Sequence, residues 1–150
     1  MDVGEVEKAI RLAFKEVTLG DGVGLWQAQA IDDYETKSIQ LEAREKDEKG
    51  NWENLSLENL SRCESSLSFF DDDGMRFHLP AFILAELHEE YCGSVMFHLS
   101  QCAKNGNFGG LSHQQKSAVV VFMEWCLTQE CYEPDWPNIK QALDEVWKRS

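Results

Sequence analysis

Apolar residues recur at three- and four-residue spacing through most of this chain, which is the period of an α-helix with one buried face. Such stripes cover the segments 3–17, 25–34, 36–46, 56–70, 80–99, 112–128 and 135–147. Only the segment 75–79 alternates as a half-buried strand would. At 150 residues the chain is long enough to bury one core. The sequence therefore predicts an all-α protein: a single compact domain over residues 1–150 with six or seven helices and at most one short β element.

Several helix boundaries carry their own signals. Thr36 and Ser56 stand just before apolar stripes, and Ser112 with Gln115 forms a capping box. Pro80 is expected at the first position of its helix, where a missing N–H costs nothing. In the helix 36–46 we expect Ile39 and Ala43 to face inward.

The segment 69–74 joins two aromatics, three consecutive aspartates and a glycine. Aspartates in such turns bond to nearby backbone N–H groups, so we interpret the segment as a helix-ending turn and an organising corner of the fold. Arg76 follows it and has few basic neighbours. We expect a carboxylate from these three aspartates, or from the Asp32-Asp33 pair, to hold its guanidinium group.

Charge limits the classes of partner. The chain has 27 acidic and 14 basic residues, a net charge of −13. Nucleic acids and anionic membranes attract basic surfaces, so neither is expected to bind. A basic protein is the favoured partner, because long-range attraction steers it into place. The alternative is that the acidity only keeps the protein soluble.

Two further expectations concern the compartment. The segment 1–5 is acidic and has neither the basic nor the apolar region of a signal peptide, so we expect a cytoplasmic protein. An odd number of cysteines without a secretory context favours reduced, mostly buried thiols over a disulfide framework. The five are Cys63, Cys92, Cys102, Cys126 and Cys131.

Catalytic and calcium sites find little support. An EF-hand frame that puts Gly74 at its sixth position places Phe69 where the first ligand belongs. Cys63 and His78 would make a nucleophile and base if they met across the Asp71–Gly74 turn. However, Cys63 lies on the apolar stripe of its helix, as a core cysteine does. No catalytic residue is predicted.

Zinc has the best spacing among the metals. The pairs His88/Cys92 and His98/Cys102 each place two ligands one helical turn apart. The pairs are ten residues apart, on different faces of a continuous helix. One site would need a break at Gly93-Ser94. We predict neither a metal site nor a cofactor.

The predicted partner-binding surface lies in the acidic middle of the chain. Three glutamates of the Pro80 helix are expected on one side at three- and four-residue spacing, close to the aspartate turn. Of the five tryptophans, the one in the polar segment after Gly50 is expected to be the most exposed and to act as an anchor. The predicted contact residues are Asp71, Asp72, Asp73, Glu86, Glu89, Glu90 and Trp52.

Three segments resemble a known family. The segment that contains Asp71, Gly74, Arg76 and Leu79-Pro80-Ala81 is similar to the pattern F-x-D-x-x-G-F-R-F-Y-L-P-A. An upstream element ends in Ala30-Ile31-Asp32-Asp33-Tyr34, like A-I-D-D-Y, and a downstream element spans Phe108 to Phe122. The chain resembles, on these residues, a family of short bacterial proteins described as a domain of unknown function.

The resemblance implies a single, mostly helical domain and brings no activity with it. Met75 and His78 depart from the pattern, which has an aromatic and a tyrosine at these positions. In size and acidity the chain is similar to immunity proteins of bacterial toxin systems. We therefore expect an acidic binding protein that neutralises a basic toxin or effector domain. A cytoplasmic scaffold or housekeeping protein is the alternative, with a metal-dependent enzyme as the lesser one.

Overall fold

The computed structural model describes residues 1–89 and 95–149, and these form one compact helical domain. The described residues contain eight α-helices and no strand, so the predicted all-α class is confirmed. The α-helices are α1 Val3–Ala13, α2 Leu25–Asp32, α3 Lys37–Lys46, α4 Leu57–Arg62, α5 Asp72–Leu87, α6 Val95–Ser100, α7 His113–Cys126 and α8 Trp136–Ala142. Short 3-10 turns lie at Trp52–Asn54, Glu64–Ser68 and Glu130–Asp135, and a π-helical turn, Leu143–Trp147, continues α8.

The predicted helix starts are confirmed where the signal is local. Thr36 accepts the N–H of Ile39 and caps α3, and Ser56 accepts the N–H of Asn59 and caps α4. Ser112 and Gln115 exchange hydrogen bonds as a capping box at α7. Each bond joins residues three apart in the chain. Such bonds form as soon as the first turn does.

Helix α5 is the central element, and here the sequence interpretation was wrong in two respects. The segment 75–79 is not extended, because it lies within α5. Pro80 does not open the helix, which begins at Asp72, two turns earlier. Most of α5 is buried on all sides, so its side chains show no clear helical stripe. Burial stabilises the helix against the hydrogen bond that Pro80 removes.

The core is built around α5. Helix α5 packs against α1, α4, α6 and the Trp52–Asn54 turn, while α7 packs against α1 and the π-helical turn. Helix α8 covers α6. The largest fully buried side chains include five phenylalanines: Phe14, Phe70, Phe77, Phe82 and Phe122.

Helices α2 and α3 pack against each other beside this core. Helix α2 packs against α3 and against the Glu64–Ser68 turn. Helix α3 has no buried residue, and Ile39, expected inward, is 43% exposed. The expectation that Ile39 faces inward is therefore wrong, because α3 packs mainly against α2 and contributes no buried residue to the core.

Two smaller corrections follow from local packing. The predicted helix 56–70 is divided at Cys63 into α4 and a 3-10 turn. The four described cysteines are free thiols; Cys63 and Cys126 are buried as expected, whereas Cys131 is exposed. Cys92 lies outside the described residues. Within the described ranges, no helix combines the length and the apolar character that crossing a bilayer requires.

Candidate functional site

The N-terminus of α5 is held by a single carboxylate. Asp71 precedes the helix, and its Oδ1 accepts the N–H of Gly74 at 2.8 Å as an N-cap. The same oxygen accepts the N–H of Val23 at 2.9 Å, from the loop before α2. Asp71 therefore both starts α5 and joins it to a segment 48 residues earlier in the chain.

Glycines allow two loops to close on this helix end. A Cβ on Gly22 would lie 2.8 Å from the Cβ of Asp73, and one on Gly74 would lie 2.6 Å from the carbonyl oxygen of Val23. From the other side, a Cβ on Gly110 would lie 3.1 Å from the Cβ of Asp72. At Gly22 and Gly74 the backbone approaches more closely than a side chain allows, and at Gly110 a side chain would be tight. Three segments meet here, as expected of an organising corner, but the interpretation as a helix-ending turn is wrong, because Asp71 caps the start of α5 and Asp72 to Gly74 lie within it.

Two arginines fasten these loops. Arg76 pairs with Asp73 at 2.8 Å through Nη2 and donates from Nη1 to the carbonyl of Gly110 at 3.2 Å. The expected carboxylate partner of Arg76 is thus confirmed as Asp73. Arg44 of α3 donates to the carbonyls of Gly22 at 3.1 Å and Gly20 at 2.7 Å.

The acid groups of this corner remain at the surface. Asp71 and Asp72 are exposed, Asp73 is half-buried, and Asp21 is exposed beside Gly22. We call these four residues the acidic corner. Because their backbone is packed against two loops, the carboxylates are presented from a rigid frame.

Trp52 does not belong to an exposed surface. Its side chain is only 5% exposed, and its indole Nε1–H donates to the carbonyl of Phe14 at 2.9 Å. The Trp52–Asn54 turn packs on α5, which draws the ring into the core. The prediction that Trp52 is a partly exposed anchor is therefore wrong.

The three glutamates do not form one outward row. Glu86 turns inward: its Oε1 accepts the N–H of Val95 at 2.5 Å and its Oε2 accepts the hydroxyl of Tyr132 at 2.7 Å. Burial raises the pKa of Glu86. Glu89 is exposed but follows the end of α5 with φ +58°, and Glu90 lies outside the described residues. Among the predicted glutamates, Glu89 is the one that the structure places at the surface.

Cys63 and His78 are not arranged as a nucleophile and its base. His78 is fully buried, stacked on Phe70 at 4.3 Å, and its Nδ1–H donates to the carbonyl of Gly74 at 2.7 Å. Burial lowers the pKa of His78 to about 4 and raises the pKa of Cys63 to about 12. At neutral pH the imidazole is a weak base and the thiol stays protonated.

The two histidines considered as zinc ligands have different surroundings. His88 is hydrogen-bonded to Glu7 of α1, and His98 is half-buried in α6, where burial lowers its pKa. Cys92 is outside the described ranges. Across residues 1–89 and 95–149, no three His, Cys, Asp or Glu side chains are grouped closely enough to bind a metal ion.

The sequence interpretation missed a cavity. A cleft of about 740 Å³ opens between α2, α3 and the segment 54–59. Its apolar lining comes from Leu25 and Trp26 of α2, Ile39 of α3, and Leu55. The four-residue spacing of Ile39 and Ala43 marked Ile39 as a residue of the apolar stripe, but only the position of α3 away from the core turns that side chain towards a cleft.

One buried carboxylate shapes the end of the cleft. Asp47 follows α3 and accepts the backbone N–H groups of Trp26 at 2.8 Å and Gln27 at 3.1 Å, so it caps α2 from outside. Burial raises the pKa of Asp47. A Cβ on Gly24 would lie 2.1 Å from Asp47 Oδ2, so glycine is the residue that permits this contact.

Comparison with known proteins gives one match. Residues 2–150 match the model of a family described as a family of unknown function, DUF6714. The chain belongs to this family. No curated protein and no solved structure matches it.

In this DUF6714 protein, the segment 71–81, which suggested the resemblance, stabilises the fold. Asp71 caps α5, Gly74 admits the loop before α2, and Arg76 holds the loop at Gly110. Phe77 and Leu79 are fully buried. Packing and capping account for these residues, so a function must be sought in what the corner and the cleft leave exposed.

Proposed function

We propose that this DUF6714 protein is an acidic protein-binding protein that neutralises a basic toxin or effector domain by direct contact, as an immunity protein does in the bacterial cytoplasm. The supporting observation is the acidic corner. It presents Asp21, Asp71 and Asp72 at the surface, on two segments that are locked together by capping and close backbone contact. The net charge of −13 adds to the negative potential of this corner.

A rigid acidic surface suits this role for two reasons. Carboxylates on a fixed backbone lose little freedom when a partner binds, so less of the interaction energy is spent on ordering them. Their field also speeds encounter with a basic protein, and this advantage falls as salt screens it. Asp72 makes no ion pair with any described residue, so it is free to meet a basic side chain.

The structure narrows the proposed contact residues. Asp71, Asp72, Asp73 and Glu89 keep exposed or half-exposed carboxylates, and Asp21 joins them. Glu86 and Trp52 are removed from the proposed surface because both are engaged inside the fold.

The test is a matched pair of double charge reversals. The partner is first captured from the native cell at low salt and purified. The variant Asp21→Lys/Asp72→Lys changes the corner, and Glu130→Lys/Glu133→Lys makes the same change of net charge at exposed positions of the Glu130–Asp135 turn. Calorimetric titration measures the dissociation constant of each at several salt concentrations.

We expect the corner reversal to weaken binding by roughly 10- to 100-fold at low salt, and the control reversal by a few-fold. Raising the salt concentration should reduce the difference between the dissociation constants of the two variants. If both reversals weaken binding equally, the corner is not the contact. If the affinity changes neither with salt nor with either charge reversal, the electrostatic proposal is wrong and the scaffold alternative is favoured. Coexpression of the partner with the wild-type protein should relieve any growth defect that the partner causes alone.

A further inference from the structure

The cleft beside α3 has polar groups that the fold leaves unused. The indole N–H groups of Trp52, Trp136 and Trp147 each donate to a backbone carbonyl. The indole N–H groups of Trp26, which lines the cleft, and of Trp125, which does not, meet no acceptor among the described residues. The side-chain carboxamides of Asn54 and Asn59 also line the cleft and have no hydrogen-bond partner within the described ranges.

These groups surround an apolar floor. Leu25 is buried, and Ile39 and Leu55 are only partly covered. Donors and acceptors beside an apolar surface are what an extended peptide requires, since each residue offers a carbonyl, an N–H and a side chain. The cleft is partly open to solvent. An open groove accommodates a chain that continues past it, whereas small-molecule sites enclose most of the ligand surface.

Charge at the rim selects the sequence of such a peptide. The lining includes three carboxylates, Glu42, Asp47 and Glu48, against the ammonium groups of Lys46 and Lys49. The lining therefore carries a formal excess of one negative charge, within a chain whose net charge is −13. A lysine or arginine next to the apolar anchor is therefore favoured.

We propose that this cleft binds an extended peptide segment of another protein, with one large apolar side chain on the Leu25, Ile39 and Leu55 floor and a basic residue beside it. The indole N–H of Trp26 donates to a peptide carbonyl. The carboxamides of Asn54 and Asn59 pair with peptide N–H and carbonyl groups. This site is distinct from the acidic corner and does not depend on the proposed function.

The test uses two synthetic probes, acetyl-Gly-Lys-Phe-Lys-Gly-amide and the same peptide with Ala in place of Phe. Each is titrated into the full-length, ¹⁵N-labelled protein, and the indole and carboxamide resonances are followed by NMR. Ile39→Ser removes part of the apolar floor. Leu41→Ser is the matched control, because Leu41 is a similarly exposed residue of α3, 49% against 43%, and does not line the cleft.

With the Phe peptide we expect saturable shifts of the Trp26 indole and of both carboxamides, and binding at least about fivefold weaker with the Ala peptide. Ile39→Ser should weaken binding of the Phe peptide by about five- to tenfold, and Leu41→Ser should weaken it by less than about twofold. The proposal is overturned if no saturable shift appears at millimolar peptide, if the two peptides bind equally, or if the two variants behave alike. Equal binding of free phenylalaninamide would replace the peptide by a small aromatic ligand. Shifts confined to the acidic corner would mean that charge alone holds the probe.

The two proposals are separable. Loss of peptide binding leaves the salt-dependent test at the acidic corner unaffected. Conversely, a partner that ignores the corner reversals leaves the NMR result standing. Ile39→Ser should fold normally, because α3 contributes no buried residue to the core.

Discussion

His78 is a buried imidazole with one unused nitrogen. Nδ1 donates to the Gly74 carbonyl, which leaves Nε2 as a buried acceptor without a hydrogen-bond partner among the described residues. Its ring stacks on Phe70 and meets the edge of Phe77. The site therefore favours the neutral form, and burial lowers the pKa from 6.5 to about 4.

This shift predicts an acid-sensitive stability. Between about pH 6.5 and pH 4, the unfolded chain binds a proton at His78 and the folded chain does not. The contribution of His78 is thus fully present above pH 6.5 and is lost as the pH falls towards 4, by about 3 kcal/mol in total. His78→Gln should remove this slope. Urea unfolding at a series of pH values measures it.

The exposed His113 provides the control. His113→Gln should alter the dependence of the unfolding free energy on pH less than His78→Gln does. Asp47 and Glu86, whose pKa values are raised, act in the opposite direction at lower pH and are common to all three proteins. The comparison between variants therefore isolates His78. Parallel curves for the wild type and His78→Gln would contradict the buried, neutral imidazole.

Arg76 offers a second prediction for a single residue. Its guanidinium group is 30% exposed and joins Asp73 of α5 to the carbonyl of Gly110. Arg76→Ala should lower the free energy of unfolding by about 1–3 kcal/mol, because two charge-assisted bonds are lost. Thermal and urea unfolding measure the change. Arg76→Lys keeps the charge but has a single ammonium group in place of the forked guanidinium, so its free energy of unfolding should lie between those of the wild type and Arg76→Ala. An unchanged melting curve for Arg76→Ala would show that the loop does not need this contact.

At the scale of elements, the loops that close on α5 depend on glycine in specific places. Gly22 leaves no room for a methyl group, since the added carbon would lie 2.8 Å from both the Cβ of Asp73 and the N of Gly74. Gly22→Ala should therefore destabilise the protein by about 1–3 kcal/mol. Chemical denaturation measures the change. Gly22→Ala should also raise the amide hydrogen-exchange rate of Val23, whose N–H donates to Asp71.

Gly50→Ala is the matched control for this effect. The added carbon there would lie 3.6 Å from the end of the Glu48 side chain, an ordinary contact. We expect a change in the unfolding free energy within about 0.5 kcal/mol. Equal costs for the two substitutions would show that the Gly22 loop is free to move away from α5.

Helix α3 shows how an element can serve the surface rather than the core. It is capped by Thr36 and fastened through Arg44 and Lys49, all by hydrogen bonds. None of its side chains is buried. Its apolar residues therefore remain available to line a cleft.

At the scale of the whole molecule, unbalanced charge opposes folding. The net charge of −13 is spread over a compact domain, and the ion pairs of the described residues lie at partly exposed positions where each contributes little. Raising the salt from about 20 mM to about 300 mM screens the repulsion, so the urea midpoint should rise. The Glu130→Lys/Glu133→Lys variant should rise less, because it starts from a smaller excess. A midpoint that falls with salt would show that the ion pairs outweigh the repulsion.

The sequence by itself determined the class of the fold and several of its boundaries. Helical spacing of apolar residues identified most of the helices. Thr36, Ser56 and the Ser112/Gln115 box marked helix starts correctly. These signals are reliable because the interacting atoms lie within one turn of each other, so no distant part of the chain is needed to form them.

Tertiary structure alone decided the rest. Trp52 is buried because its indole meets a carbonyl 38 residues away, and Asp71 is a cap that also binds a loop 48 residues away. Pro80 lies inside α5, where it is buried with most of that helix. The cleft exists because α3 packs mainly against α2 and contributes no buried residue to the core. Each outcome depends on contacts between segments far apart in the chain, and local spacing carries no record of which segments will meet.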